Sequence, residues 1–229
     1  MKILITGGSS GIGKPIVKSL MDKYEITVLD RNPVRMEGVT FFPIDLLSSD
    51  EINKFFANTS EQYGALINAA GIREIVPPHE LELDEWKQVQ KINVTTPFLL
   101  SKYLIRRALS ETKKLSIVNI ASVSGLLGEL DRAAYVTSKH AIIGLTKQLA
   151  FQYGKYGIRV NAIAPGIIET PLTASYFTDP VMADLIRSRT PVSHWGQPEH
   201  LNALIDICLT NDYMTGSVLV CDGGWSCGK

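Results

Sequence analysis

The stretch that decides the fold lies at the start of the chain, where residues 2–13 read KILITGGSSGIG. The apolar run 2–6 predicts a short buried strand, and a helical pattern begins directly after the glycines. Glycines let the backbone turn sharply and approach a phosphate, while the helix N-terminus offers free N–H groups. The segment therefore predicts a strand–turn–helix unit that binds a dinucleotide pyrophosphate or, as the simpler alternative, forms a tight turn only.

Length and composition fit one globular domain. The chain has 229 residues, of which 45% are hydrophobic and 20% charged, enough for a sizeable core. The 23 basic and 23 acidic residues balance, and no basic block indicates nucleic-acid binding.

No apolar run approaches the roughly 18 residues of a membrane span, and no signal-peptide pattern precedes the first strand. The three cysteines and four histidines show no metal-site or redox spacing. We expect a cytoplasmic protein with reduced thiols, no metal, and no membrane or nucleic-acid partner.

Strand and helix patterns alternate along the rest of the chain. Strands are predicted at about 25–29, 38–42, 115–121, 157–163 and 217–220, and one begins at 65 and enters a small-residue turn by 71. Long helices are predicted at about 84–109, with a kink at Pro97, and at 133–153. This alternation predicts an α/β fold: a single doubly wound Rossmann-type domain over 1–229, with a central parallel sheet of about seven strands flanked by helices.

Two segments depart from this regularity. Residues 31–37 are too few for the helix that usually joins parallel strands, so either a loop makes the crossing or the strand bounds differ. Residues 172–196 have the least regular pattern and contain aromatic residues and prolines. We interpret them as a substrate lid, or alternatively as a surface excursion.

The second long helix contains Tyr135 and Lys139, four positions apart and therefore on one helical face. A tyrosine titrates near pH 10, and a cation fixed beside it lowers the phenol pKa towards the range of a general base. The same spacing is also common on ordinary helix surfaces. Ser122 follows the strand 115–121, at the edge of an open α/β sheet where ligands bind.

An acidic residue, Asp30, ends the second predicted strand. In a dinucleotide fold, a carboxylate at this place binds the adenosine ribose hydroxyls and repels a 2′-phosphate, which favours NAD over NADP. Two alternatives stay open. The aspartate is also typical of an ordinary turn, and the adjacent Arg31 could accommodate the phosphate.

These residues together resemble the short-chain dehydrogenase/reductase family over nearly the whole chain. The resemblance rests on five motifs: Thr6-Gly7-x-x-x-Gly11-x-Gly13, Asn68-Ala69-Ala70-Gly71, the tetrad Asn93, Ser122, Tyr135 and Lys139, the pair Pro165-Gly166, and Thr170. The resemblance implies that Tyr135 is the general acid/base and that Lys139 holds the nicotinamide ribose while lowering the phenol pKa. It implies that Ser122 hydrogen-bonds the reacting oxygen and that Asn93 fixes a water in a proton relay.

The same resemblance implies a binding site for NAD, with NADP less favoured. Gly7, Gly11 and Gly13 would surround the pyrophosphate, Asp45 and Leu46 would border the adenine, and Ile168 with Thr170 would hold the carboxamide. In full, the expected cofactor-binding residues are Thr6, Gly7, Ser9, Ser10, Gly11, Ile12, Gly13, Asp30, Arg31, Asp45, Leu46, Asn68, Ala69, Ala70, Gly71, Tyr135, Lys139, Pro165, Gly166, Ile168 and Thr170.

The implied activity is hydride transfer between NAD(H) and the secondary alcohol or ketone of a small polar or cyclic substrate. Two sub-hypotheses remain: residues 190–199 and 222–224 resemble 3-oxoacyl-carrier-protein reductases, which prefer NADPH, whereas the short 31–37 link and residues 66–72 resemble 2,3-dihydro-2,3-dihydroxybenzoate dehydrogenases. A non-catalytic dinucleotide sensor is the alternative of another class, although such proteins usually lose part of the tetrad. Family members are usually homotetramers or homodimers built on the two long helices and the last strand, and we expect one of these assemblies.

Overall fold

A computed structural model describes residues 1–192 and 194–228. Within this part of the chain, one sheet contains seven strands: β1 Lys2–Thr6, β2 Glu25–Asp30, β3 Val39–Pro43, β4 Ala65–Asn68, β5 Leu115–Ile120, β6 Ile158–Pro165 and β7 Val218–Cys221. Neighbouring strands pair in parallel in the order β3-β2-β1-β4-β5-β6-β7. The predicted doubly wound Rossmann-type sheet is confirmed.

Helices cover both faces of the sheet. They are α1 Gly13–Leu20, α2 Ser49–Asn58, α3 Leu83–Gln90, α4 Thr96–Glu111, α5 Ala133–Tyr153, α6 Ala174–Thr178, α7 Pro180–Arg189 and α8 Asn202–Thr210. Short 3-10 turns lie at Val123–Gly125, Gly154–Tyr156, Pro171–Thr173 and Pro198–Leu201. None of the helices in the described residues is long and apolar enough to cross a membrane.

The sheet divides the core into two layers, and the side chains of β1 contribute to both of them. Leu4 packs in the layer that also contains α2, α4 and α5, whereas Ile3 and Ile5 pack in the layer of α1 and α8. Since successive side chains of a strand point to opposite faces, a strand that is apolar throughout must be covered on both sides. The continuous apolar run at 2–6 is therefore the sequence signal for this three-layer arrangement.

The strand order places a crevice at the carboxyl end of β1. β2 and β3 continue the sheet on one side of β1, while β4 to β7 continue it on the other. The connections leaving the ends of β1 and β4 therefore diverge, which opens a space above the sheet at this point.

The structure decides one open alternative of the sequence prediction and corrects two other details. The link between β2 and β3 crosses as a loop without a helix, as one of the two alternatives proposed. Residues 172–196 are more regular than predicted, because α6 and α7 occupy much of them; Ser193 lies outside the described residues. The helical region 84–109 is interrupted by a π-helical turn at Lys91–Thr95, and Pro97 lies directly after this turn, near the start of α4.

Candidate active site

A cleft of about 640 Å³ lies over the carboxyl ends of β1, β2, β4 and β5. It brings together most of the residues predicted to bind the cofactor, which are Gly7, Ser9, Ser10, Gly11, Ile12, Asp30, Arg31, Asp45, Leu46, Ala69, Ala70, Gly71, Tyr135, Lys139 and Thr170. One wall comes from the loop after β1 and another from the start of α5. The cleft is therefore continuous from the glycine loop to the Tyr135 side chain.

The glycine loop is packed too closely for other residues. Gly7 has φ +71, and a Cβ added there would lie 2.7 Å from the Cα of Ala70. A Cβ on Gly13 would lie 2.1 Å from the Gly7 carbonyl oxygen. Close approach between the β1 loop, the β4 loop and the first residue of α1 brings backbone groups to the cleft, as a pyrophosphate site requires.

Asp30 both stabilises this loop and faces the cleft. Its Oδ2 accepts hydrogen bonds from the Ser9 N–H at 3.1 Å and the Ser9 hydroxyl at 2.7 Å, and its Oδ1 accepts one from the Asn32 N–H at 2.9 Å. The side chain is buried and lines the cleft. The two sequence interpretations of Asp30, turn residue and ribose ligand, are therefore compatible in one structure.

A buried amide next to the cleft has an unused acceptor. Asn68 donates from its Nδ2 to Asn119 Oδ1 at 2.8 Å, and Asn119 donates in turn to Thr146 Oγ1 at 2.9 Å. Asn68 Oδ1, by contrast, has no hydrogen-bond partner among residues 1–192 and 194–228. A buried oxygen without a partner beside the glycine cradle fits a site built for a polar ligand such as a dinucleotide.

Lys139 is held at the carboxyl end of β5. Its ammonium donates to the Ile120 carbonyl oxygen at 2.8 Å and lies 5.5 Å from the centroid of the Tyr135 ring. The side chain is buried, and burial lowers its pKa to about 8. A Cβ on Gly71 would lie 3.7 Å from Lys139 Nζ, so the glycine leaves the space between the lysine and the β4 loop open.

Ser122 begins a chain of polar side chains that leads away from the phenol. It accepts from the Ser124 N–H at 3.1 Å and donates to the Ser124 hydroxyl at 3.0 Å, and Ser124 donates to Glu129 Oε1 at 2.9 Å. Glu129 also forms an ion pair of 3.4 Å with Arg132. The Ser122 hydroxyl interacts with the phenol of Tyr135. Ser122 and Tyr135 are thus brought together as the sequence predicted.

The electrostatics of Tyr135 differ from the sequence expectation. Burial raises the pKa of the phenol, and the charge of Glu129 acts in the same direction, while Ser122, Arg73 and Arg132 act to lower it. Burial is the largest of these effects, so the pKa lies above its ordinary value rather than below it. The expected lowering of the phenol pKa is not seen in the net shift, because desolvation outweighs the groups that favour the phenolate.

Asn93 lies in the π-helical turn, a feature frequent at functional sites. Its Oδ1 accepts from the Ile72 N–H at 3.0 Å, and its Nδ2 donates to the Ile72 carbonyl oxygen at 2.8 Å and to Ser138 Oγ at 2.9 Å. The amide side chain therefore ties the loop after β4 to the catalytic face of α5. Its expected role in a proton relay stays a prediction.

Glu74 was missed by the sequence analysis. This buried carboxylate accepts from the Ala134 N–H at 2.7 Å and from the Tyr135 N–H at 3.1 Å. It thereby satisfies free N–H groups in the first turn of α5 and complements the helix dipole. A glutamate far upstream of a helix gives no local capping signal, so only the three-dimensional arrangement reveals it.

Several predicted residues lie beside the cleft rather than on its surface. Thr6 accepts from the Ala70 N–H at 3.2 Å and joins the two loops. Gly166 packs against Asp222, where an added Cβ would lie 2.7 Å from the Asp222 Cα. Ile168 lines a separate cavity of about 360 Å³ with residues of α7 and β7. The residues that do not line the cleft are Thr6, Gly13, Asn68, Asn93, Ser122, Pro165, Gly166 and Ile168. The catalytic roles of Asn93 and Ser122, and the direct contact of the other six with a cofactor, stay predictions.

The cleft also contains residues that the motifs did not identify. These are Asn32, Ile44, Leu47, Ile72, Gln88, Ile92, Ile120, Ala121, Pro171 and Leu172. Most of them directly flank a predicted residue, so adjacency to the motifs is the signal that would have found them. Gln88 lies on α3, and only the packing of that helix against the cleft places it there.

These features define an oxidoreductase site for a nicotinamide dinucleotide, and comparison with known proteins agrees. The family model for short chain dehydrogenases matches residues 1–180. The 2,5-dichloro-2,5-cyclohexadiene-1,4-diol dehydrogenase of Sphingobium indicum is 35% identical over 98% of this chain and 96% of its own length. A structure of 4-hydroxyisoleucine dehydrogenase complexed with NADH is 40% identical, with a TM-score of 0.96 over 100% of this chain and 99% of its own. A mutant of that enzyme complexed with NADH and succinate has a TM-score of 0.97 and 39% identity, with 100% of both chains covered.

The chain belongs to the short-chain dehydrogenase family. It is an NAD(P)-dependent oxidoreductase that acts on CH–OH groups. The family resemblance found in the sequence is thereby confirmed.

Removing the Glu74 carboxylate tests its role at the start of α5. We expect Glu74→Ala to lower the free energy of unfolding by about 1–3 kcal/mol, because two buried N–H groups lose a charged acceptor. Glu74→Gln keeps an acceptor oxygen and should therefore lower the free energy of unfolding by a smaller amount. Urea unfolding followed by circular dichroism measures both. Equal stability of Glu74→Ala and the native protein would contradict the assignment.

The pH dependence of alcohol oxidation tests the electrostatics of the site. A phenol whose pKa is raised is mostly protonated near neutral pH, so its base form increases about tenfold per pH unit. Lys139, with a pKa of about 8, is charged below that pH and loses its proton above it. We therefore expect kcat/KM for oxidation to rise about tenfold per unit up to about pH 8 and then to level.

A rate profile over pH 6–10 with a fixed excess of cofactor measures this dependence. A kcat/KM that does not change between pH 6 and 8 would show that the phenol is already ionised, and would refute the raised pKa. Lys139→Met, which removes the titrating ammonium, is the variant in which the change of slope near pH 8 should disappear.

Proposed function

We propose that this protein transfers hydride between NAD(H) and the secondary alcohol or ketone of a small polar or cyclic substrate. The observation that supports the proposal most directly is the placement of Tyr135, Ser122 and Lys139 at the carboxyl end of β5, where Tyr135 and Lys139 line the same cleft as Asp30. A proton-transferring phenol and a carboxylate suited to the ribose of NAD thus occupy one continuous site.

Each residue of the tetrad has a separate task in this proposal. Tyr135 takes the alcohol proton during oxidation and returns it to the oxygen during reduction. Ser122 hydrogen-bonds the reacting oxygen and stabilises the negative charge that develops on it. Lys139 places a buried ammonium beside the phenol, and Asn93 fixes the loop after β4 against α5. The bound nicotinamide supplies or accepts the hydride.

Cofactor binding is assigned to the glycine loop and the neighbouring strand ends. Gly7, Gly11 and Gly13 form the pyrophosphate cradle, and Asp30 binds the adenosine ribose. Asp45 and Leu46 border the adenine, because both line the cleft beyond β2. Pro165, Gly166, Ile168 and Thr170 would meet the nicotinamide side, of which Thr170 reaches the cleft in the described structure.

The relatives narrow the choice between the sub-hypotheses. The Sphingobium relative is named for a cyclic diol, which supports a dihydrodiol-like or other cyclic alcohol substrate. The structural neighbour is complexed with NADH, which agrees with the preference inferred from Asp30. An NADPH-dependent 3-oxoacyl-carrier-protein reductase is less favoured, since a carboxylate at Asp30 repels a 2′-phosphate. A non-catalytic sensor is not supported, because the complete tetrad is present.

The wider setting of the enzyme is part of the same proposal. We assign the whole chain to one domain in which the region 172–196 acts as a substrate lid; Thr170, Pro171 and Leu172 at its start line the cleft. Exposed apolar side chains on the long helices and the last strand support a homodimer or homotetramer, namely Phe98, Phe151 and Val220. Three free cysteines are consistent with a cytoplasmic location.

Turnover of NAD and NADH, followed by absorbance, tests the proposed activity against a panel of cyclic diols, hydroxy acids, ketones and 3-oxoacyl thioesters. We expect oxidation or reduction with NAD(H), and a loss of at least about 100-fold in kcat for Tyr135→Phe, because the acid/base group is removed. Tyr156→Phe, at an exposed tyrosine outside the cleft, is the matched control. Undiminished turnover in Tyr135→Phe would refute the mechanism.

Cofactor choice is tested at Asp30. We expect Asp30→Asn to lower the preference for NAD over NADP by about tenfold or more, because the repelling charge is lost while the acceptor for Ser9 is retained. The ratio of kcat/KM values for the two cofactors is the measurement. Native protein that already prefers NADPH would contradict the role of Asp30 and favour the reductase sub-hypothesis.

A further inference from the structure

Two arginines and a tyrosine form a cluster beside the catalytic phenol. The guanidinium carbons of Arg73 and Arg132 lie 4.6 Å and 5.4 Å from the ring centroid of Tyr176. Arg73 Nη1 also donates to the Tyr176 hydroxyl at 2.6 Å. Tyr176 is a buried residue of α6, so the cluster connects the proposed lid with the loop after β4 and the start of α5.

The cluster lies near the phenol at one end of the cleft, just behind the residues that line it. Arg73 follows Gly71 and Ile72, which line the cleft, and Arg132 directly precedes α5. Both guanidinium charges act on the Tyr135 phenol, the group that exchanges a proton with substrate in the proposed mechanism. A substrate whose oxygen contacts Tyr135 therefore has these two cations within its surroundings.

The positive charge of the cluster is only partly compensated. Arg132 pairs with Glu129, and the charge of Glu129 also acts on Arg73. Arg73 itself has no carboxylate within ion-pair distance among the described residues. The nearby Glu74 is already engaged by the N–H groups of Ala134 and Tyr135. Both arginines are half-buried, and burial lowers their pKa values. A half-buried guanidinium without a counter-ion has lost hydration that an anionic ligand would replace.

We propose that the substrate carries a carboxylate and that Arg73, assisted by Arg132, binds it beside Tyr135. A planar guanidinium matches a carboxylate with paired hydrogen bonds, and its contact with the Tyr176 ring holds it in one orientation. The proposal rests on the proposed function, because it defines the substrate of that site. It selects hydroxy acids and oxo acids over neutral cyclic alcohols.

Binding of succinate is the first test, since this dicarboxylate has no alcohol to oxidise and needs no turnover. Isothermal titration calorimetry with the NADH-loaded protein compares succinate with succinamide, its neutral match. We expect succinate to bind at least tenfold more tightly, and Arg73→Gln to weaken succinate by about 10- to 100-fold while leaving succinamide unchanged. Arg73→Lys keeps the charge but not the planar fork, so its affinity for succinate should lie between those of the native protein and Arg73→Gln.

Arg106→Gln is the matched control, because Arg106 is exposed on α4 and outside the residues that line the cleft. It should bind succinate as the native protein does. Equal affinity of the native protein for succinate and succinamide would overturn the proposal even if an arginine variant failed to fold.

Turnover separates this proposal from the proposed function. Hydroxy acids and their methyl esters are compared with NAD. Arg73→Gln should raise KM for the acids and not for the esters, whereas the loss of its charge near the phenol should change kcat for both to the same extent. Native protein that oxidises neutral alcohols but not hydroxy acids would refute the carboxylate site and keep the dehydrogenase. Succinate binding that depends on Arg73, without oxidation of any alcohol, would support the anion site and refute the proposed function.

Discussion

The hydrogen bond between the Lys139 ammonium and the Ile120 carbonyl oxygen joins the two halves of the catalytic machinery. Lys139 lies on α5, and Ile120 is the last residue of β5. A buried cation is costly without partners, so this bond restricts how α5 can lie on the sheet. Gly125 contributes to the same restriction, since a Cβ there would lie 2.5 Å from the Lys139 carbonyl oxygen. Close packing and a buried charge together fix Tyr135 relative to Ser122.

Several groups around the Tyr135 phenol influence its pKa, and they act in opposite directions. Burial and Glu129 favour the protonated form of Tyr135, while Ser122 and the two arginines favour the phenolate. Because these influences oppose one another, a charged ligand that enters the cleft can change the pKa of the phenol. An anionic ligand that covers Arg73 would weaken a cationic influence on the phenol, whereas a positively charged group would strengthen it. In the proposed mechanism, substrate recognition by Arg73 and proton transfer by Tyr135 are therefore coupled through their charges.

Most of the fold follows from local patterns in the sequence. The apolar run of β1 and the glycines after it predict a strand and a helix start that the structure contains. The π-helical turn at 91–95 was missed, because a single extra residue per turn leaves the apolar stripe nearly unchanged. Residue types and spacing indicated Tyr135 and Lys139, but the pKa of the phenol depends on burial, which no motif encodes. The sequence did not identify Arg73, Glu74 and Arg132, because only the fold brings them close to Tyr135 and the start of α5.

The loop that replaces a helix between β2 and β3 has a further effect at the margin of the sheet. Among the strands of the described residues β3 pairs with β2 alone, and all five residues of β3 are exposed or half-buried. Phe42 is partly sheltered by an edge-to-face contact of 5.2 Å with Phe55 of α2. An open strand edge is a template for unwanted pairing between molecules, and proline is one residue that blunts it. Pro43, at the end of β3, offers no N–H to an incoming strand. At this edge of the sheet, Pro43 therefore limits how far another strand could extend the pairing.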